Sequence, residues 1–317
     1  MKKISVVTPC YNAEKYISKM IESLQNQSFV DWEHIIVDDG STDNSAEVIN
    51  QYVAKDSRIK LIRQSNSGTC KTRNNGFKEC NPESEYLLFF DADDCLEPQM
   101  LETMVNYLDQ HQHLGVVYCD YYSIDAEGKP IETYASYPRI IPSRWGIDFM
   151  PNNVPKTPLV AVVAGLGGGL DSRCLFRRSI YEKTSGWDEQ IGRNGGQVMD
   201  LVAQCILISE VHFLPQKLYQ YRVHSSSQIH INVNYEVQAQ KILNKWKQME
   251  ELSVKQKEVV DHAIWFYEKR LVPLIKLGNS KQLLSQGKII TALKLYLKSG
   301  IDYLQSVVNY KIQPNLQ

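Results

Sequence analysis

The sequence has no CxxC pair, no surplus of either charge, no long apolar run, and no excess of glycine or proline. Each absence removes a class of protein. The 35 Lys and Arg residues against 36 Asp and Glu give a net charge of −1. A general nucleic-acid binder needs basic residues in excess to neutralise phosphates, so no nucleic-acid partner is expected. The 17 Gly and 12 Pro are ordinary for 317 residues and exclude collagen-like and low-complexity chains. The seven Cys are odd in number and scattered, with Cys95, Cys119 and Cys205 in apolar or motif-rich segments. They read as small buried hydrophobes in a reducing compartment rather than as a disulfide framework. The basic start Met1-Lys2-Lys3 leads into Ile4-Ser5-Val6-Val7, which stops at Thr8-Pro9. That run is too short for a signal-peptide core or a membrane span, so a cytoplasmic chain is expected. No Gly-x-Gly-x-x-Gly follows the first strand pattern and no Gly-Lys-Ser/Thr segment occurs, which argues against a dinucleotide dehydrogenase and a P-loop ATPase.

What is present is an alternation. Ile4–Val7, His34–Val37, Lys60–Ile62 and Tyr86–Phe90 are compact apolar runs that end at polar turns, the pattern of buried parallel strands. Between the first two, Ala13, Tyr16, Ile17, Met20, Ile21 and Leu24 recur at helical spacing. Further helices are expected over Ser45–Lys55, Gly68–Glu79 and Gln99–His111. This predicts an open α/β sheet with right-handed crossovers and a ligand site at the carboxyl ends of the strands. From Gly115 to Gly169 the pattern is less regular. Val116–Ile124 and Ser172–Phe176 read as strands, Pro138–Pro158 as a Pro-rich connection, and Gly165–Gly169 as a turn. Val198–Ser209 reads as a helix and Val211–Tyr221 as a strand. From Tyr235 to Tyr310 the chain is rich in Lys and Glu with Leu, Ile and Tyr at helical spacing, a helical appendage.

Polar residues gather where the strands end. The first cluster is Thr8-Pro9-Cys10-Tyr11-Asn12-Ala13-Glu14, and the second is Asp38-Asp39-Gly40-Ser41-Thr42-Asp43. The third runs from Asn66 to Gly76 and includes Lys71 and Arg73. The fourth is Asp91-Ala92-Asp93-Asp94. On a strand, residues i and i+2 share a face, so Asp91 and Asp93 can address one hard cation such as Mg²⁺ or Mn²⁺, with phosphates completing the coordination. The competing reading makes Asp93-Asp94 a cap for the next helix. Turn and cap chemistry accounts for Ser41 to Ser45 but not for two carboxylates directly after a buried strand, one of which can accept the N–H of a nucleobase. Lys71 and Arg73 can neutralise a diphosphate or simply lie on a solvated helix face.

Together, Val6 through Asn12, Val37 through Asp43, Gly68 through Gly76 and Phe90 through Asp94 resemble the family 2 glycosyltransferases of the GT-A fold. The resemblance continues through Leu175-Phe176-Arg177-Arg178, Gly186-Trp187-Asp188-Glu189 and Tyr221-Arg222-Val223-His224-Ser225. It implies a Rossmann-like, mostly parallel sheet flanked by helices in residues 1–234, with residues 235–317 as the helical appendage. It also implies a UDP- or GDP-linked sugar donor, Mn²⁺ or Mg²⁺, and transfer with inversion to a glycan or other hydroxyl acceptor. Asp39 would read the base and Tyr11 would pack near it. Arg73 would lie close to the nucleotide, and Pro9, Glu14, Lys71, Asp91 and Ala92 would complete the donor contacts. Asp91, Asp93 and His224 would form the metal set, and Trp187 would be an aromatic on the acceptor side unless it belongs to the core.

The sequence departs from this family at one point. Gly195-Gly196-Gln197-Val198-Met199-Asp200 places Gln197 and Val198 where the family has a Glu-Asp pair whose Asp is the base. Val198 cannot accept a proton, and the expected substitutes are Asp200 or Asp188, with Asp171 as a further candidate. The departure supports an alternative, a catalytically silent nucleotide-sugar-binding or scaffold subunit. The segment Lys288–Lys298 mixes apolar and basic residues and supports two readings. It is either a peripheral contact with the inner face of a membrane, or a helical pair packed on the main domain or against a second copy of the chain.

Overall fold

The computed structural model describes residues 3–131, 173–191, 196–225, 235–273, 276 and 289–308. The Pro138–Pro158 connection, the Gly165–Gly169 turn and Asp171 lie outside the described residues. Described residues up to Tyr235 form one compact unit, and those from Glu236 onward form a second.

The first unit begins with strict alternation. Strand β1 (Ile4–Cys10), helix α1 (Ile17–Gln25), β2 (Trp32–Asp38), α2 (Ser45–Val53), β3 (Ile59–Arg63), α3 (Thr69–Lys78) and β4 (Tyr86–Phe89) follow one another. Next come β5 (Cys95–Leu96), α4 (Met100–Gln110), β6 (Leu114–Ile124) and β7 (Pro130–Ile131). After residues 132–172 come β8 (Cys174–Arg177), the short α5 (Arg178–Tyr181), α6 (Gln197–Ile208) and β9 (Glu210–Arg222). Strands β1, β2 and β4 are almost wholly buried because helices cover both faces, which is why they read as continuous apolar runs. Ile17, Met20, Ile21 and Leu24 form the buried stripe of α1.

The sheet order is β3-β2-β1-β4-β8-β6-β9-β5, with β7 paired to β6. The first four strands are parallel, as the βαβ alternation requires. Beyond them the sheet is mixed. Strand β8 is antiparallel to both β4 and β6, while β6 and β9 run parallel. The sequence before β8 shows no helical repeat, so no crossover rule fixes its direction. Pro9 sits beyond the last β1–β4 pair, Val7 with Phe89, where pairing is one-sided and a missing N–H costs little. All seven cysteines are buried free thiols.

The second unit contains α7 (Tyr235–Lys247), α8 (Val254–Phe266) and α9 (Ile289–Val308), with a wider turn of helix over Tyr267–Leu271 continuing α8. Helix α8 starts at a capping box: the Gln256 N–H donates to Ser253 Oγ, and the Ser253 N–H donates to Gln256 Oε1. Among the described residues no helix is long and apolar enough to cross a membrane.

Candidate active site

The loops after β1 and β2 are braced against each other. Asn12 has a φ of 52°, a left-handed value that Asn tolerates. Its N–H donates to Ser41 Oγ (3.0 Å), and its Oδ1 accepts the Thr42 N–H (2.8 Å). The Ala13 N–H donates to Ser45 Oγ (2.8 Å), and the Glu14 N–H donates to Asp43 Oδ2 (3.1 Å). Glu14 Oε2 accepts the Asn44 N–H (2.9 Å), so this carboxylate is engaged in bracing the two loops. Tyr11 stands at the apex, 52% exposed, with its ring open to a ligand.

Asp39 is buried and gripped by the loop that leads into α3. Its Oδ1 accepts from Gln64 Nε2 and the Ser67 N–H (both 2.8 Å), and its Oδ2 accepts the Gly68 N–H (2.9 Å). Gly68 has a φ of 91°, which a side chain would strain. Burial alone would raise the Asp39 carboxyl. Hydrogen bonds from Gln64, Ser67, Gly68 and Thr72 outweigh it and hold the group below the usual carboxylate range. The neighbouring Asp38 is fully buried and accepts the Ser41 N–H (3.0 Å) and Arg63 Nε (3.1 Å).

Helix α3 reaches the fourth cluster through Arg73, whose Nη2 donates to Asp91 Oδ1 at 2.5 Å. The Arg73 guanidinium carbon also lies 4.3 Å from the centre of the Trp187 ring. Lys71 is half-exposed, with Nζ 3.9 Å from Glu189 Oε2. Asn74 pins the 186–189 segment to α3: its Nδ2 donates to the Trp187 carbonyl (2.8 Å), and its Oδ1 accepts the Trp187 N–H (3.1 Å).

In the fourth cluster Ala92 is buried in the core, and the carboxylates on either side of it keep about a third of their surface, 30% for Asp91 and 35% for Asp93. Asp93 Oδ2 lies 3.0 Å from His224 Nε2. The His224 ring is 4.6 Å from that of Tyr16, which closes the edge back onto the start of α1. Asp94 is turned inward, where Oδ2 accepts from the Tyr219 hydroxyl (2.5 Å) and Oδ1 from the Arg222 N–H (2.7 Å). Burial first, then the Asp93 and Asp91 charges, push it well above the usual carboxylate range. The cap reading therefore gives way at Asp94 to a tie between this loop and β9.

Among the described residues no group of three His, Cys, Asp or Glu side chains could hold a metal ion. The expected set of Asp91, Asp93 and His224 resolves into an Asp93–His224 pair and an Asp91–Arg73 pair. Oxygen donors in this number fit a hard cation that takes most of its coordination from phosphates and water.

The structure revises two expectations. Asp200 is fully buried in the first turn of α6. Its Oδ2 accepts from Gln204 Nε2 (3.0 Å), and Gln204 Oε1 in turn accepts the Ser185 N–H (2.9 Å). It anchors that segment and has no exposure to an acceptor. Trp187 is 3% exposed, edge-on to Phe89 at 5.0 Å and beneath Arg73. It is a core residue rather than an acceptor platform. Asp188 keeps partial exposure, and its Oδ1 accepts the Gln190 N–H (2.9 Å). Val198 is buried.

Four residues that order this edge were not legible as site residues: Asn12, Gln64, Asn74 and Arg222. Arg222 is buried and donates from Nε to the Asp93 carbonyl (2.6 Å) and from Nη1 to the Asp125 and Ala126 carbonyls (3.1 and 3.2 Å). In the sequence it stands within the Tyr221–Ser225 segment that carries the resemblance, but nothing there names its partners.

The clusters at the ends of β1 to β4 thus form one continuous hydrogen-bonded edge. The profile of Glycosyl transferase family 2 matches residues 5–184, more than half of the chain. The chain belongs to glycosyl transferase family 2. Its sequence is 28% identical over 228 residues to the glycosyltransferase GlyG of Streptococcus pneumoniae, covering 71% of this chain and 72% of that one. It is 38% identical over 141 residues to an uncharacterized glycosyltransferase of Haemophilus influenzae, covering 44% of this chain and 55% of the relative, little more than half its length. The fold is similar to that of residues 1–349 of S. aureus TarS in complex with UDP-GlcNAc. That match has a TM-score of 0.62 and 18% identity over 96% of this chain and 81% of the other. It is also similar to the mannosyltransferase PcManGT of Pyrobaculum calidifontis in complex with GDP-Man and Mn²⁺. Here the TM-score is 0.59 and the identity 15%, over 96% and 86% of the two chains. This family 2 member therefore has a GT-A fold, with its polar edge where open α/β sheets bind ligands.

Proposed function

We propose that this family 2 glycosyltransferase moves a sugar from a UDP- or GDP-linked donor to a hydroxyl acceptor, with inversion and with Mg²⁺ or Mn²⁺. The observation that carries the reading is the continuous edge from Tyr11 through Asp39 and Arg73–Asp91 to Asp93–His224. In this reading Asp39, already anionic and fixed by Gln64 and the 67–68 backbone, accepts a base N–H. Tyr11 packs on the base, Pro9, Glu14 and Ala92 shape its surroundings, and Lys71 and Arg73 face the diphosphate. Asp93, with His224, would hold the cation, which when bound offsets the charge that develops on the departing nucleoside diphosphate. Asp91 is kept in place by Arg73. Asp188 is the carboxylate with solvent access among the two expected to abstract the acceptor proton, and the role is assigned to it.

The test is a panel of UDP- and GDP-sugars with Mn²⁺ or Mg²⁺, read by thermal shift and by nucleoside-diphosphate release. Release is expected from the wild type and falls about a hundredfold in Asp93→Asn. Asp188→Asn is expected to retain the thermal shift and lose transfer. The buried Val198 and Asp200 favour a second reading, a silent nucleotide-sugar binder. A shift without any release would establish that reading and overturn the first.

A further inference from the structure

Helix α9 is amphipathic in the reverse sense. Among its described side chains, 289–302, those it buries are small, Ala292 and Ser299, whereas Ile289, Ile290, Leu293, Tyr296, Leu297 and Ile301 are each half or more exposed. These are six of the ten large apolar side chains exposed among the described residues, gathered within four turns of one helix. A water-facing helix ordinarily shows the opposite arrangement. Residues 290, 293, 297 and 301 follow at i+3 and i+4 spacing and so make one stripe. Lys294 and Lys298, both exposed, run along its edge one turn apart, followed by Asp302.

Charge identifies what covers the stripe. From Lys276 to the C-terminus the sequence has six Lys, no Arg, no Glu and only Asp302 as an acid, a net of +5 in a chain whose total is −1. The preceding residues therefore sum to −6. A second copy packed through the same stripe would bring like charge against like. An anionic bilayer supplies both an apolar layer for the stripe and negative headgroups for the lysines, whose stems can lie along the apolar surface while the ammonium groups reach the interface. No described helix can span a bilayer, so the contact lies in the interface plane.

We propose that α9 is a peripheral docking surface for anionic lipid, with its apolar stripe entering the headgroup boundary and Lys294 and Lys298 contacting lipid phosphates. The proposal is independent of the donor and the reaction. It is tested with the full chain by co-sedimentation with vesicles of pure phosphatidylcholine and with vesicles of equal parts phosphatidylcholine and phosphatidylglycerol. The expected result is binding to the mixed vesicles at least about tenfold stronger than to phosphatidylcholine, weakened by salt. Leu293→Gln/Leu297→Gln and Lys294→Gln/Lys298→Gln should each reduce that binding by about tenfold or more. These positions are exposed, so unchanged circular dichroism and thermal melting are expected and separate lost docking from lost folding. Absence of binding to the mixed vesicles would overturn the proposal, as would equal binding by the double variants. A dimer in light scattering that Leu293→Gln/Leu297→Gln converts to monomer would assign the stripe to a second copy instead.

Discussion

Asp39 shows how a single carboxylate can be prepared for recognition before any ligand arrives. Three donors from the 64–68 loop fix both of its oxygens, and their combined effect exceeds the cost of burying the charge. Gln64 is the side chain in this group that can be removed without touching the backbone, and it also accepts from Asn75 Nδ2 at 2.8 Å. Gln64→Leu is therefore expected to weaken nucleoside-diphosphate binding by about tenfold, measured by calorimetry, while Asp93–His224 is undisturbed. Asp39 itself was legible in the sequence because two acidic residues after a buried strand are unusual. Gln64 was not, since a Gln after a strand has no pattern of its own and gains its role only when β3 lies beside β2. Arg222 lay within a recognisable segment, but its contact with Asp93 spans 129 positions of sequence and was not legible there.

Helix α3 is held close to the sheet, and this closeness sets the place of Arg73 and Asn74. At Gly76 an added Cβ would lie 2.5 Å from Val7 Cγ1 and 3.1 Å from Val37 Cγ2, so the helix rests directly on β1 and β2. Gly76→Ala is expected to destabilise the protein by about 1–3 kcal/mol in urea unfolding, with part of that recovered by adding Val7→Ala. If the substitution proved neutral, the close approach of helix and sheet would be wrong. The elements themselves follow from local pattern. The apolar stripe of α1 and the runs of β1, β2 and β4 can be read in their own residues because each is buried on a predictable face. Strands β5 and β7, of two residues each, carry no such period and exist only through their partners β9 and β6.

Acid stability belongs to the whole molecule. His34 is fully buried in β2, with Nε2 2.9 Å from Thr8 Oγ1, and burial lowers its pKa from 6.5 to about 3. Between these values the unfolded chain binds a proton that the folded chain does not. Stability is therefore complete above the ordinary histidine value and falls as the pH drops through that window, by at most about 1.4 kcal/mol per pH unit. Urea midpoints for wild type and His34→Gln should diverge at neutral pH and converge toward about pH 5, with the variant lacking this part of the slope. A parallel pH dependence in the two proteins would show that His34 does not contribute. The sequence by itself determined the α/β class, the strand-end clusters and the family, because buried strands, amphipathic helices and loop motifs are local and each carries its own signal. Only the tertiary structure decided which carboxylates share a partner. Asp93 meets His224 and Asp91 meets Arg73, while Asp94 turns inward and Asp200 is buried under Gln204. Trp187 went to the core for the same reason. The Asp93–His224 and Asp94–Tyr219 pairings join residues more than a hundred positions apart, and no local spacing encodes the face that a distant strand will cover.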